Sequence, residues 1–226
     1  MLAHSPSIVM NNLVLCLDAG NSKSYPGSGT TWTDLSGNGN TGTLTNGPTY
    51  NSANGGSIAF DGSNDYVNFP GTASGILDFG TGNFSLCCWI KPGSGISGDG
   101  IINKRSGSRG YRLDIYSSQG IRMLVVGDAG VVVATNQIYT VGTWYYVVGV
   151  AENNTLKLYI NSILQTQTAT YSGTLSNSSV LEIGRMDANN AYSLDASVAQ
   201  ASIYNRALSA AEVSQNFNAL RGRYGI

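Results

Sequence analysis

Apolar residues alternate with polar ones along most of this chain, in short runs separated by Gly, Asn, Ser and Thr. Such period-2 runs predict strands with one buried face. The clearest run interleaves Phe84, Leu86, Cys88 and Ile90 with Ser85, Cys87, Trp89 and Lys91, and Lys91-Pro92-Gly93 stops it. A first strand is expected over residues 13–18. Short paired strands are expected at 57–61 and 65–69 across a Gly-Ser-Asn turn, and a hairpin at 144–150 and 156–160 around Glu152-Asn153-Asn154. Further strands are expected at 100–104, 111–116, 121–126, 131–135, 163–168, 180–184 and 197–204. A strand about every ten residues is the rhythm of a sandwich or barrel, with no composition break to mark a second domain.

Two stretches depart from this rhythm. Residues 19–56 are almost wholly Gly, Asn, Ser, Thr and Pro, with Trp32, Leu35 and Leu44 as sparse anchors, so a wrapped loop with a short strand near Thr43-Leu44-Thr45 is expected. Near the end, Ser209-Ala210-Ala211-Glu212 is a capping box, Leu208 can staple onto Val213, and Val213, Phe217 and Leu220 form a helical stripe that Gly222 closes. One short helix over 209–220 is predicted. Residues 1–12 read as an N-terminal arm and 221–226 as a C-terminal tail, the two segments least committed to the core.

Composition narrows the function classes. Of 226 residues, 29 are Gly and 22 are Asn, only 11% are charged, and the net charge is −1. There is no basic footprint for nucleic acid. No run approaches the roughly 18 apolar residues of a membrane span, so membrane insertion is not expected. The opening Met-Leu-Ala-His-Ser-Pro lacks the charged and apolar regions of a signal peptide, which implies a chain folded in the cytoplasm. Cys16, Cys87 and Cys88 form no even framework and read as small buried residues, Cys87 and Cys88 on opposite strand faces.

Catalytic signatures are sparse. The only histidine is His4, in the arm, which removes histidine-based triads, bases and zinc sites together. The three glutamates, Glu152, Glu182 and Glu212, are far apart in sequence, and Glu182 alternates with Leu181 and Ile183 as a solvated strand residue does. No catalytic residue is assigned. Asp61 and Asp65 in Asp61-Gly62-Ser63-Asn64-Asp65 are the candidate calcium ligands, since hard cations want clustered oxygens; the competing reading is turn chemistry. No cofactor is required. Trp89 and Trp144 read as core. Trp32, Tyr25, Tyr50, Tyr139, Tyr171 and Tyr192 fall in or near turns, where exposed rings beside Asn or Arg suit sugars and buried ones merely anchor loops. Trp32, Arg109 and Tyr192 are the candidate carbohydrate-binding residues.

Phe60-Asp61-Gly62-Ser63-Asn64-Asp65-Tyr66-Val67 resembles the Phe-Asp-Gly-x-x-Asp-x-Val signature of concanavalin A-like, laminin-G-type jelly-roll domains. Four further segments are similar to family motifs in the family's order. They are Trp32-Thr33-Asp34-Leu35-Ser36-Gly37-Asn38, residues 83–92, Trp144 with Leu156-Lys157-Leu158-Tyr159-Ile160-Asn161, and Ile203-Tyr204-Asn205-Arg206-Ala207-Leu208-Ser209. The chain departs from the pattern at Ser162, where the family has Gly, and around Asp195, which is shifted in the closing strand. The resemblance implies one all-β domain over 13–220, a two-sheet antiparallel jelly-roll sandwich with one C-terminal helix.

Lectins, carbohydrate-binding modules and glucanases share that fold, so function must come from the site. Both ends of the domain, residues 12–21 and 215–226, resemble those of tailed-bacteriophage jelly-roll proteins. That implies a non-enzymatic, lectin-like virion protein of the capsid surface or tail fibre. It would contact host-surface glycans, stand in many copies or as a homo-oligomer, and meet other virion proteins through its termini. The alternatives are a capsid decoration or cement protein with no sugar site, and a glycan hydrolase.

Overall fold

A pleated strand sends successive side chains to opposite faces, so an apolar set at every second position finds a common interior. The computed structural model describes residues 7–72, 74–106, 109–117, 120–128, 131–134, 139–186 and 192–226. His4, the first half of the arm and Thr135 lie outside the described residues.

The strands form two antiparallel sheets packed face to face. The first has nine strands, in the order β14 (Ile163–Leu164), β13 (Thr155–Ile160), β12 (Tyr145–Glu152), β7 (Phe84–Pro92), β17 (Asp195–Tyr204), β5 (Ser57–Asp61) and β4 (Thr49–Asn51). In addition β1 (Leu13–Asp18) pairs with β17, and β15 (Ala169–Thr170) with β13. The second has eight strands: β11 (Val131–Ala134), β10 (Gly120–Val126), β9 (Arg109–Tyr116), β8 (Asp99–Ser106), β16 (Leu181–Ile183), β6 (Tyr66–Phe69), β3 (Gly42–Thr45) and β2 (Thr31–Trp32). One helix follows, α1 (Ala210–Leu220), so the expected sandwich with a C-terminal helix is the observed fold.

Leu86, Cys88 and Ile90 of β7 meet Leu113, Ile115, Ile121 and Met123 of the other sheet in the main core. The opposite face of β7 is equally dry. Cys87 and Trp89 pack with Tyr146, Val148 and Tyr204 under Leu208 and Val213 of the helix segment. The two neighbouring thiols therefore do face opposite ways, into different clusters.

Three expectations are corrected. The strands at 57–61 and 65–69 are not partners: β5 pairs with β4 and β17 in the first sheet, and β6 with β3 and β16 in the second. Their turn crosses between layers, which alternation within each strand cannot reveal. The strand expected at 163–168 is only Ile163–Leu164, an exposed edge.

The third correction concerns the described part of the arm, residues 7–12, and the tail, which are committed to the fold through Val9 and Tyr224. Val9 is buried, its N–H donating to Asn216 Oδ1 at 2.7 Å and its carbonyl accepting from Tyr204 OH at 2.8 Å. Tyr224 in the tail stacks on Trp89 with ring centroids 4.1 Å apart, and Arg223 pairs with Asp18 at 2.9 Å. Residues 7–12, the helix and the tail together cover the outer face of the nine-stranded sheet over β1, β17, β7 and β12.

Within the wrapped segment 19–56 one carboxylate gathers four hydrogen bonds. Asp34 Oδ1 accepts from the N–H of Cys16 and of Ser36, both at 2.9 Å. Its Oδ2 accepts from Ser36 Oγ at 2.7 Å and from the Asn40 N–H at 3.0 Å. The Trp-x-Asp-x-Ser-Gly-Asn stretch is thus a strut that ties the loop to β1.

Candidate functional site

With one outer face sealed, the outer face of the eight-stranded sheet is where the fold concentrates polar side chains. Strand register sets them in a row. Thr43 pairs with Asn68, Asn68 with Glu182, Glu182 with Asn103, Asn103 with Arg112, and Arg112 with Leu124. Beside this row Gly100 pairs with Asp114, and Asp114 with Arg122. The alternate positions of β9, Leu113 and Ile115, point into the core, which fixes Arg112, Asp114 and Tyr116 outward.

Asp114 is the centre of the array and fully buried. Arg112 Nε donates to its Oδ2 at 2.6 Å, while Arg122 donates through Nε to Oδ1 at 2.8 Å and through Nη2 to Oδ2 at 3.0 Å. The Arg122 guanidinium lies 3.7 Å from the Tyr116 ring centroid. Burial alone would weaken the Arg122 charge, but the Asp114 hydrogen bonds and field, with Tyr116, outweigh it and hold its pKa above the ordinary value. A second stack stands on the other side. Arg185 lies 3.4 Å from the Tyr66 ring centroid and pairs with Glu182 at 2.5 Å. Two buried atoms of the face, Asn103 Oδ1 and Arg185 Nε, have no protein hydrogen-bond partner. Such atoms can take a hydrogen bond from water or a ligand.

This frame of two antiparallel sheets under one helix has a sequence counterpart. Residues 61–214 match the laminin-G-type family model described as the concanavalin A-like lectin/glucanases superfamily. The chain belongs to that superfamily. No curated protein matches it.

Solved structures with the same concanavalin A-like fold include the binding domain of paraclostridial mosquitocidal protein 1, with TM-score 0.73, 16% identity, and coverage of 93% of this chain and 52% of that chain. Domain 4 of an extracellular arabinanase from Geobacillus stearothermophilus, solved with arabinotriose, gives TM-score 0.70 and 15% identity over 91% of this chain and 98% of that one. A Trypanosoma rangeli sialidase gives TM-score 0.71 and 17% identity over 98% of this chain and 34% of the sialidase. The chain thus spans about half of the first of these proteins and about a third of the third. At such identities the likeness is one of fold.

Within this concanavalin A-like frame the candidate residues named from sequence scatter. Trp32 is fully buried in the main core, so it offers no ring face to a ligand; this corrects its assignment as an exposed loop aromatic. Its neighbours explain why. The segment is pinned through Asp34 onto β1, which turns the indole inward. Tyr25 and Tyr171 are buried loop anchors too. Tyr192 is exposed, and Ser193 beside it bridges to Arg185, which puts Tyr192 at the rim of the polar face. Arg109 starts β9 and pairs with Asp128 at 2.8 Å, an exposed contact away from the Asp114 clamp.

Glu182 is also corrected: it is on the face opposite Leu181 and Ile183 as alternation required, yet it is buried there against Arg185. For calcium, Asp61 Oδ1 accepts from the Ser63 N–H at 2.8 Å and Asp65 Oδ2 from the Asp61 N–H at 3.2 Å. Burial, then the Asp61 charge, raises the Asp65 pKa. Two carboxylates already used by their own turn fall short of the six to eight oxygens calcium takes. Among the described residues no group of three or more His, Cys, Asp or Glu side chains could hold a metal ion.

Sequence reasoning missed Arg112, Asp114, Tyr116, Arg122, Tyr66, Asn103 and Arg185. The available signal was Arg112-Leu113-Asp114-Ile115-Tyr116, two opposite charges at alternate positions of a central strand in a chain with only 11% charged residues.

Proposed function

We propose that the chain is a non-enzymatic, lectin-like glycan-binding protein whose sugar site is the outer face of the eight-stranded sheet. The observation that carries this reading is the fixed polar array around Asp114, bracketed by two Tyr–Arg stacks. Tyr66 on β6 and Arg122 on β10, the outer members of the two stacks, stand four strands apart, about 19 Å at about 4.8 Å per strand, a span longer than one sugar ring. Fixed donors and acceptors beside ring edges suit a sugar's hydroxyls and its C–H face.

The array argues against a hydrolase. A glycosidase needs one carboxyl that protonates the leaving group and a second that attacks or activates water. Here both Asp114 oxygens accept from guanidiniums and Glu182 Oε1 accepts from Arg185, so neither carboxyl is placed as a free acid and nucleophile pair. Solved structures of the same fold include a binding domain, an arabinanase domain in complex with arabinotriose and a sialidase, so the fold admits both binding and hydrolysis and the reading rests on the site.

The virion setting belongs to the same proposal and rests on the resemblance of both chain ends to tailed-phage proteins. The layer order supports display. Residues 7–12, the helix and the tail lie on the nine-stranded sheet, so attachment through that side leaves the polar face outward. Binding of the isolated protein to a glycan array, with reducing-sugar release measured in parallel, tests the function. Selective binding without release is expected. Release that disappears in Asp114→Asn would make it an enzyme, and an array with no bound glycan would favour a purely structural cement protein.

A further inference from the structure

We infer that this face selects acidic sugars, with Arg112 as the residue that takes the ligand carboxylate. The inference rests on the glycan-binding reading of the same face and names its ligand class. Its basis is an imbalance of charge. Among the described residues of this face, three guanidiniums, Arg112, Arg122 and Arg185, pair with two carboxylates, Asp114 and Glu182. All five side chains are nearly buried, with at most 14% of any one exposed. The chain as a whole carries net charge −1, so this positive excess is local. A shielded unmatched cation is unfavourable, and one anionic ligand group would balance it.

Arg112 is placed to accept that group. Its Nε is spent on Asp114. Neither Nη group has a hydrogen-bond partner among the described residues, and neither is sealed from solvent. Two terminal N–H groups on a planar fork match a carboxylate bidentately, and Asp114 holds the fork still before a ligand arrives. The flanks fit the rest of a sugar. Leu124, paired with Arg112 on one side, is apolar, and Asn103 on the other carries the unpartnered Oδ1 that a hydroxyl could satisfy. A neutral sugar could use these flanks but would leave the excess charge unmatched.

The test uses matched pairs. Oligogalacturonate, sialyl-oligosaccharide and alginate oligomers, each alongside its carboxyl-reduced form, are titrated into the full chain by calorimetry at low and high salt. At least one acid form is expected to bind tenfold or more tightly than its reduced partner. That preference should shrink with salt and vanish in Arg112→Gln. Arg112→Lys keeps the charge but not the fork and should retain part of it. Amide shifts of the wild-type protein should map to β9 and β10, a readout that does not depend on any variant folding. Equal binding of acid and reduced forms would overturn acidic selection while leaving a sugar site. Acid preference unchanged in both Arg112 variants would overturn the role of Arg112. Binding of neither form would overturn the glycan reading itself.

Discussion

At the scale of single residues, the buried charges of this chain differ sharply in what they hold. Asp114 is fully buried between two arginines, whereas Asp128 meets Arg109 at an exposed contact. Removing one member of a buried pair strands the others without compensation, at a cost of about 3–5 kcal/mol. Removing one member of an exposed pair costs about 0–1 kcal/mol, because water and salt already screen it. Asp114→Ala should therefore lower unfolding free energy in urea by several-fold more than Asp128→Ala. Equal effects would mean that the clamp is solvated. The thiols obey the same physics in the other direction. Burial pushes Cys16 and Cys87 up to about 12, so neither is a thiolate at neutral pH. That much was legible in the sequence, as small residues inside strands. The clamp was not, because Arg112 and Arg122 come together only through the register of β9 with β10.

The helix is the element whose sequence signature was most complete, and its chemistry predicts an acid response. Ser209 Oγ accepts from the Glu212 N–H, and the Glu212 carboxylate accepts from the Ser209 N–H at 2.9 Å. The same carboxylate takes a bidentate pair from Arg206, at 2.7 and 2.8 Å. These bonds, Arg206 first, outweigh burial and hold the Glu212 pKa at about 2, below its ordinary 4.5. A depressed carboxyl contributes stability that is complete above the unfolded-state value and fades as pH falls toward the folded one. Wild type and Glu212→Gln should thus differ in stability at neutral pH, and the difference should shrink from about pH 4.5 and be gone near pH 2. A difference independent of pH would leave Arg206 out of the cap. Strands were less legible than this helix. Alternation located β7, β9, β10, β12 and β13, yet gave no hint that β5 and β6 sit in different sheets, since pairing is decided by the layer each apolar face joins. Nor could it show that both faces of β7 are covered, because the cover comes from residues distant in the chain, Val9 before it and Leu208, Val213 and Tyr224 more than a hundred positions after it.

On the scale of the whole molecule, the sandwich is a three-layer object with one polar outer face. The tail belongs to its sealed side. Tyr224 is stacked on Trp89 and set against Trp144, and Arg223 bonds Asp18 and the Gly55 carbonyl, so residues 222–226 join the tail to β1, β7 and the loop before β5. Their loss uncovers Trp89 and removes one large buried ring, which costs about 3–5 kcal/mol. In a chain of this size that lowers the melting temperature by about 6–20 °C. Deletion of 222–226 should therefore cut the melting temperature by an amount in that range, and Tyr224→Ala should account for most of it. An unchanged melt would return the tail to the status of a free arm. The distinction matters for display. Arg221, Gly225 and Ile226 stay exposed while Tyr224 is seated, so the tail can meet a neighbour without leaving its place. A weak single site gains affinity only when many copies present it at once, through effective concentration. Arg221→Glu removes an exposed contact with the Phe217 ring at 5.7 Å, worth about 0.5–1 kcal/mol. Under the virion proposal it should lower the melt by no more than about 4 °C while weakening assembly into particles. A larger loss of melt coupled to loss of assembly in Arg221→Glu would show instead that the rim is part of the fold.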